Sequence, residues 1–146
     1  MFEDLRDLYQ DVILDHGRKP RHGLRLAVFD AEAKGDNPMC GDRITVFVRH
    51  AGDTVAELGF EARGCAISIA SADLMAEAVP GLTAAEIATL SENFAEMART
   101  GETGPGLETL RPLAGVHEYP SRIKCATLPW RALAAALSEH GVATDE

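Results

Sequence analysis

Residues 42–63, DRITVFVRHAGDTVAELGFEAR, decide the fold because they have the pattern of one β-hairpin. Ile44, Val46 and Val48 recur at every second position, so they share one face of a strand. The turn residues of 51–53 follow, and residues 54–63 return as a second strand. A strand predicted over residues 26–32 would complete an antiparallel meander of three strands.

Helical patterns lie on both sides of this meander. Residues 2–15 carry apolar side chains at i, i+3, i+4 and i+7, which predicts an amphipathic helix. Residues 65–79 are rich in small side chains and predict a second helix. Thr83 and Glu86 have the spacing of a capping box, which predicts that a third helix begins there.

The C-terminal third predicts a loop over residues 100–106, a short helix over 107–113 and a last helix with Pro129 in its first turn. The predicted buried stripe of that helix is Trp130, Leu133, Ala134 and Leu137. Strands followed by helices favour an α+β fold, with a three-stranded antiparallel sheet and helices packed on one face. We expect residues 1–146 to form a single domain.

Composition excludes two classes of partner. The 146 residues include 23 acidic and 14 basic side chains, for a formal net charge of −9. A surface of that sign repels phosphate backbones, so nucleic acid is not an expected partner. No apolar run reaches the ~20 residues of a membrane helix, and the acidic start does not fit a secretory signal. We therefore expect a cytoplasmic protein without a membrane partner.

The three cysteines are predicted to lie where secondary-structure elements meet. Cys40 precedes the strand that starts near Asp42, Cys65 lies between a strand and a helix, and Cys125 falls in the turn before the last helix. An odd number of cysteines does not suit a disulfide framework. Cys40 and Asp42 are two residues apart and can face one ion. Three thiolates and one carboxylate would satisfy zinc, and iron–sulfur units also take thiolates.

Spacing alone leaves other interpretations open. The cysteines can be three unrelated small core residues, and Asp42 can be an ordinary turn residue. The histidines have no motif partner, and we interpret all of them as surface or loop residues; they are His16, His22, His50, His117 and His140.

Three motifs resemble the IscU/NifU-like iron–sulfur assembly family, and in particular its SufU-type branch of zinc-dependent sulfurtransferases. They occur in the family's order and read NPMCGD (37–42), GFEARGCAISIASADLM (59–75) and SRIKCATLPW (121–130). The resemblance implies an α+β fold with a metal site at one exposed end of the sheet. By the same match, the zinc ligands would be Cys40, Asp42, Cys65 and Cys125.

The resemblance also implies an activity. Members of the branch take persulfide sulfur from a PLP-dependent cysteine desulfurase of the SufS type and serve the downstream iron–sulfur assembly machinery. Cys40 would be the attacking thiolate, freed when a histidine of the docked desulfurase replaces it on zinc. Arg122 and Lys124 adjoin Cys125 and are weaker candidates for contact with that partner; the alternative is that they are simply solvated.

Two rival functions share the same ligands. One is an iron–sulfur cluster scaffold, with the cluster as the alternative cofactor, and the other is a structural zinc protein. In the scaffold members that the motifs resemble, a histidine directly precedes the last cysteine. This chain has Lys124 there, and a protonated lysine has no lone pair for a metal. The extra segment at about residues 101–118 also resembles the SufU-type branch. Both departures favour the sulfur acceptor.

Overall fold

The structure is a computed structural model that describes residues 11–38 and 41–139. Residues 11–18 are helical and are called α1; most of the helix predicted over residues 2–15 lies outside the described residues. The other elements are β1 (Ala31–Asn37), β2 (Asp42–Ala51), β3 (Thr54–Arg63), α2 (Ala66–Ala78), α3 (Ala84–Thr100), a 3₁₀ helix (Arg111–Glu118) and α4 (Pro120–Glu139). Among the described residues, no helix has both the length and the apolarity that a membrane crossing requires.

The predicted antiparallel meander with helices packed on it is confirmed. The strand order is β1-β2-β3, and Val46 lies opposite Phe60 in the β2–β3 pair. Ile44, Val46 and Val48 are buried, as their alternation predicts. Packing of α4 on β1 and β2, and of α2 on β3, covers this face.

The predicted position of the first strand is wrong: β1 begins at residue 31, not 26. Its inward positions are held by small side chains, Ala31, Ala33 and Gly35, which have weak strand propensity and gave no signal. Their size has a structural reason, because α4 lies directly on them. A Cβ atom on Gly35 would be 3.0 Å from Leu128 Cδ1 and 3.4 Å from Ala132 Cβ.

The apolar residues that suggested the earlier strand pack elsewhere. Leu26 is buried and lies against Gly59 of β3. The Phe29 ring lies 5.1 Å from the Phe47 ring, between centroids. Phe47 is on the opposite side of β2 from Val46 and Val48, so this segment covers part of the second face of the sheet.

The second and third helices occur as predicted. Cys65 is the N-cap of α2. Both hydrogen bonds of the capping box are present: the Glu86 amide donates to Thr83 Oγ1 at 3.2 Å, and the Thr83 amide donates to Glu86 Oε1 at 2.9 Å. The buried residues of α3 are Ile87, Phe94, Met97 and Ala98.

The predicted start of the last helix is wrong. Pro120, not Pro129, is the first residue of α4, and Pro129 lies inside the helix. A proline cannot donate the amide hydrogen bond of a helix interior, so a start near Pro129 was the simpler interpretation. Tertiary packing outweighs that loss, because Trp130 is buried and stacks on Phe94 at 5.2 Å.

Two smaller predictions in this region also need correction. The short helix predicted over residues 107–113 is a 3₁₀ helix over Arg111–Glu118. In the predicted stripe of α4, Leu133 and Leu137 are buried, whereas Ala134 is half-buried.

Candidate metal centre

Three of the four predicted ligands converge at one end of the sheet. One oxygen of Asp42 and the Sγ atoms of Cys65 and Cys125 all lie within 4.8 Å of one another. Asp42 begins β2 and Cys65 follows the end of β3; because the two strands are antiparallel, with Arg43 opposite Arg63, these residues become neighbours. Cys125 reaches the same point from α4. Residues far apart in sequence therefore form one cluster, which we call the thiolate–carboxylate cluster.

The Asp42 carboxylate is buried and oriented. Its residue is 0% exposed. Oδ1 accepts a hydrogen bond from the Cys65 amide at 2.8 Å, and Oδ2 lies 3.8 Å from Cys65 Sγ. One oxygen is thus held by the backbone while the other faces the thiols. A buried carboxylate is costly without a compensating charge, and a cation beside Oδ2 would supply one.

Gly64 makes this orientation possible. Its φ angle is +139°, a conformation that side-chain-bearing residues rarely adopt. A Cβ atom at this position would lie 2.2 Å from Asp42 Oδ1. Glycine therefore allows β3 to pass close to Asp42 and turn the Cys65 amide toward it.

Cys125 differs from the prediction of an accessible turn residue. It lies within α4 and is 0% exposed, with Sγ 3.9 Å from the Ser121 carbonyl oxygen. The Ser71 hydroxyl of α2 donates to the Ala126 carbonyl at 2.5 Å and joins the two helices beside it. Cys65 is half-buried, so it is the more accessible of the two thiols.

The remaining predicted site residues are placed as follows. Cys40 lies outside the described residues, so its predicted roles stay predictions. The Gly41 amide donates a hydrogen bond to the Asn37 carbonyl at 2.8 Å. Arg122 and Lys124 lie in the first two turns of α4, close to Cys125 in sequence; their contact with a partner stays a prediction.

The donor chemistry of the cluster fits zinc. Two thiol sulfurs and one carboxylate oxygen are typical zinc ligands, and a closed zinc site needs four. Residues 11–38 and 41–139 provide three donors here, which leaves one position for a further ligand. Thiolates also bind iron–sulfur clusters, so the donor set alone admits both cofactors.

The interpretation of His16 as a surface or loop residue is wrong. His16 lies in α1, its side chain is 12% exposed, and its Nδ1 is hydrogen-bonded to Oδ2 of the buried Asp73. His50 and His117 are half-buried, in β2 and the 3₁₀ helix, and His140 lies outside the described residues. The sequence signal that was missed is the spacing of Asp73 and Glu77. They lie four residues apart on α2, a helix otherwise made of small and apolar residues.

Comparison with known proteins gives a consistent set of similarities. Residues 8–142 match the family described as the NifU-like N terminal domain. The zinc-dependent sulfurtransferase SufU of Bacillus subtilis is 38% identical over 98% of this chain and 95% of its own length. The iron-sulfur cluster assembly scaffold protein IscU of Streptococcus pyogenes is 38% identical over 91% of this chain and 84% of its own.

A solved structure shows the same fold. A protein of Fervidobacterium islandicum AW-1, provisionally described as an iron–sulfur cluster assembly scaffold for the SUF system, superposes with a TM-score of 0.82. It is 31% identical, and the match covers 90% of this chain and 98% of that one.

Proposed function

Because the chain belongs to the family of NifU-like N-terminal domains, we propose that it is a zinc-dependent sulfur acceptor in iron–sulfur cluster assembly. In this role it takes persulfide sulfur from a PLP-dependent cysteine desulfurase of the SufS type. The observation that carries the proposal is the convergence of Asp42, Cys65 and Cys125 at one end of the sheet. The similarity to a zinc-dependent sulfurtransferase over nearly the whole chain supports it.

The proposed zinc ligands are Cys40, Asp42, Cys65 and Cys125. Cys40 is bonded to Gly41 and is two residues from Asp42, so chain connectivity keeps it near the cluster. When bound, zinc supplies positive charge that keeps its cysteine ligands deprotonated at neutral pH. Asp42 is suited to be the fixed ligand, since the Cys65 amide already holds its other oxygen.

The proposed chemical step is a thiol–disulfide exchange. The Cys40 thiolate attacks the terminal sulfur of the desulfurase persulfide and forms a new S–S bond. The old S–S bond breaks, and its electron pair leaves on the desulfurase cysteine as a thiolate. No oxidant or reductant is needed, because one persulfide replaces another.

Lys124 favours the sulfur acceptor over the scaffold. It directly precedes the buried Cys125. In the scaffold members that the motifs resemble, a histidine occupies this position. A protonated lysine has no lone pair to offer a cluster. With Arg122, it places positive charge beside the proposed ligands on a chain of net charge −9, which suits contact with an acidic patch on the desulfurase.

The alternative function is an iron–sulfur cluster scaffold. A named scaffold is as similar to this chain, at 38% identity, as the named sulfurtransferase is. The cluster would then be cargo assembled on the same thiolates. A single domain acting in the cytoplasm, with downstream iron–sulfur assembly proteins as later partners, belongs to both proposals.

Desulfurase turnover tests the proposal. Purified cysteine desulfurase is assayed with the zinc-loaded protein, the metal-stripped protein and a Cys40→Ala variant. We expect strong stimulation by the zinc-loaded form alone, with one added sulfur on the wild-type chain by mass spectrometry. Cys40→Ala accepting persulfide at the normal rate would move the acceptor role to Cys65 or Cys125.

A Lys124→His variant separates the two functions. If the chain is a sulfur acceptor, the wild type should not retain a cluster after anaerobic reconstitution, whereas Lys124→His gains a ligand and should retain more. A stable, transferable cluster on the wild type, together with no stimulation of the desulfurase, would favour the scaffold.

A further inference from the structure

A second group of metal-binding side chains lies between α1 and α2. We define the α1–α2 cluster as His16, His22, Asp73 and Glu77. His16 Nδ1 is hydrogen-bonded to Asp73 Oδ2 and lies 3.9 Å from Glu77 Oε2. His22 Nε2 lies 4.0 Å from the same Glu77 oxygen. Donor atoms of His16, Asp73 and Glu77 all fall within 4.8 Å of one another.

The backbone brings these residues together. Asp73 and Glu77 are four residues apart on α2, so they share one face of that helix. Gly17, at the end of α1, packs directly on Ala66, where a Cβ atom would be only 2.9 Å from Ala66 Cβ. The chain then turns back so that the His22 amide donates to Asp73 Oδ1 at 2.8 Å.

The charge of the cluster calls for a cation. Asp73 is 0% exposed, and its hydrogen-bond partners in the described residues are the His22 amide and the His16 ring. In residues 11–38 and 41–139, no lysine or arginine forms an ion pair with it, although Arg21 interacts with its charge at longer range. With neutral imidazoles, the fully buried charge of Asp73 would lie beside the partly exposed charge of Glu77. Arg21 interacts with both carboxylates only at longer range, and a buried charge without a close positive partner is unfavourable.

We propose that the α1–α2 cluster is a second metal site, which binds a divalent first-row transition metal ion through nitrogen and oxygen donors. Imidazole and carboxylate ligands without sulfur suit Zn²⁺, Fe²⁺ and Mn²⁺. Metal–ligand bonds of about 2.0–2.1 Å place tetrahedral donors about 3.3 Å apart. The distances of 3.9 and 4.0 Å would shorten with a small rotation of Glu77, whose side chain is 37% exposed. His16 Nδ1 and Asp73 Oδ2 would move apart and exchange their hydrogen bond for bonds to the ion.

The proposed site is separate from the thiolate–carboxylate cluster. Asp73 is eight residues beyond Cys65, which is about 12 Å along a helix axis. The two sites also differ in ligand chemistry, so a spectroscopic probe can tell them apart. Cobalt(II) bound by thiolates absorbs strongly through sulfur-to-metal charge transfer, whereas cobalt(II) bound by imidazole and carboxylate does not.

The test is a titration of metal-stripped full-length protein with cobalt(II), with bound metal measured after equilibrium dialysis. The wild type should bind two equivalents, only one of which produces charge-transfer absorption. A His16→Gln/Glu77→Gln variant should keep the absorbing equivalent and lose the other, with affinity at that site reduced at least about tenfold. A His117→Gln/Glu92→Gln variant is the matched control and should bind two.

Two further measurements keep the result interpretable. Because His16 is a partner of the buried Asp73, its loss can destabilise the fold, so Glu77→Gln is also titrated alone and both variants are checked by circular dichroism. A zinc titration should raise the melting temperature of the wild type beyond the first equivalent. The proposal is overturned if the wild type binds only the charge-transfer equivalent, or if Glu77→Gln binds the second as tightly as wild type does. Neither readout involves a desulfurase.

Discussion

Replacing Gly64 with alanine is expected to damage the thiolate–carboxylate cluster more than the hydrophobic core. The new Cβ atom would lie 2.2 Å from Asp42 Oδ1 and 2.8 Å from Asp42 Cα. The carboxylate must therefore move away from the Cys65 amide, with which it forms a 2.8 Å hydrogen bond. Two of the proposed zinc ligands are displaced by one added methyl group.

The expected cost has two parts. A side-chain-bearing residue held at φ +139° costs on the order of 1–3 kcal/mol. Loss of a hydrogen bond to a buried charged acceptor costs about 1.5–3 kcal/mol more. The free energy of unfolding should therefore fall by about 2.5–6 kcal/mol, a large part of the ~5–15 kcal/mol of an ordinary domain.

Denaturant unfolding of the metal-stripped and zinc-loaded forms measures this cost. Gly81→Ala is the matched control, because Gly81 also has a positive φ, of 93°, but an added Cβ would meet no atom within 4 Å. The control should lose only the backbone part and should bind zinc like wild type. Equal losses of stability in the two variants, with equal zinc affinity, would refute the close-contact argument.

Three further outcomes are expected. Ser71→Ala removes the 2.5 Å hydrogen bond to the Ala126 carbonyl and should lower the free energy of unfolding by about 1 kcal/mol, measured by urea denaturation; an unchanged midpoint would contradict it. Acidification or a chelator should release zinc and lower the melting temperature, because protons compete for thiolates and carboxylate; a melting temperature independent of zinc would count against a metal at this site. The hydrogen bond from Arg21 lowers the pKa of Asp15, so its stabilisation is present at neutral pH and disappears as the pH falls through that lowered pKa. With Asp15→Asn, the melting temperature should therefore fall slightly less as the pH is lowered. The effect is small because the Asp15–Arg21 pair is exposed.

The sequence predicted best those elements whose signals are local. The β2–β3 hairpin follows from alternation of Ile44, Val46 and Val48, and the start of α3 follows from the Thr83–Glu86 capping box. Each of these patterns is complete within a few residues. Tertiary contacts then had nothing to override.

The errors came from positions where tertiary packing decides. The inward positions of β1 are small because α4 lies against Gly35, and no local pattern reports a neighbour that is about ninety residues away. The same holds for α4, which continues through Pro129 because Trp130 packs on Phe94. The mistaken start of α4 in turn gave Cys125 an accessible position that it does not have.

The candidate metal centre could be predicted only in part, for a similar reason. The motifs identified Asp42, Cys65 and Cys125, and the structure brings them together. The pairing of His16 with Asp73 was missed because it joins residues 57 positions apart and has no motif of its own. The spacing of Asp73 and Glu77 places them on one face of α2, but only the packing of α1 shows what they face.

The origin of the cluster's donors in β2, the β3–α2 junction and α4 has a consequence for chain entropy. Asp42 and Cys65 are 23 positions apart, and Cys65 and Cys125 are 60 apart. In an unfolded chain, joining such pairs would close loops at a cost of about 3 and about 4 kcal/mol. Pairing of β2 with β3 and packing of α4 on α2 close both loops through contacts that do not involve the ion. Binding energy is therefore not consumed in gathering the ligands, and an ion should prefer the folded chain strongly over the unfolded one.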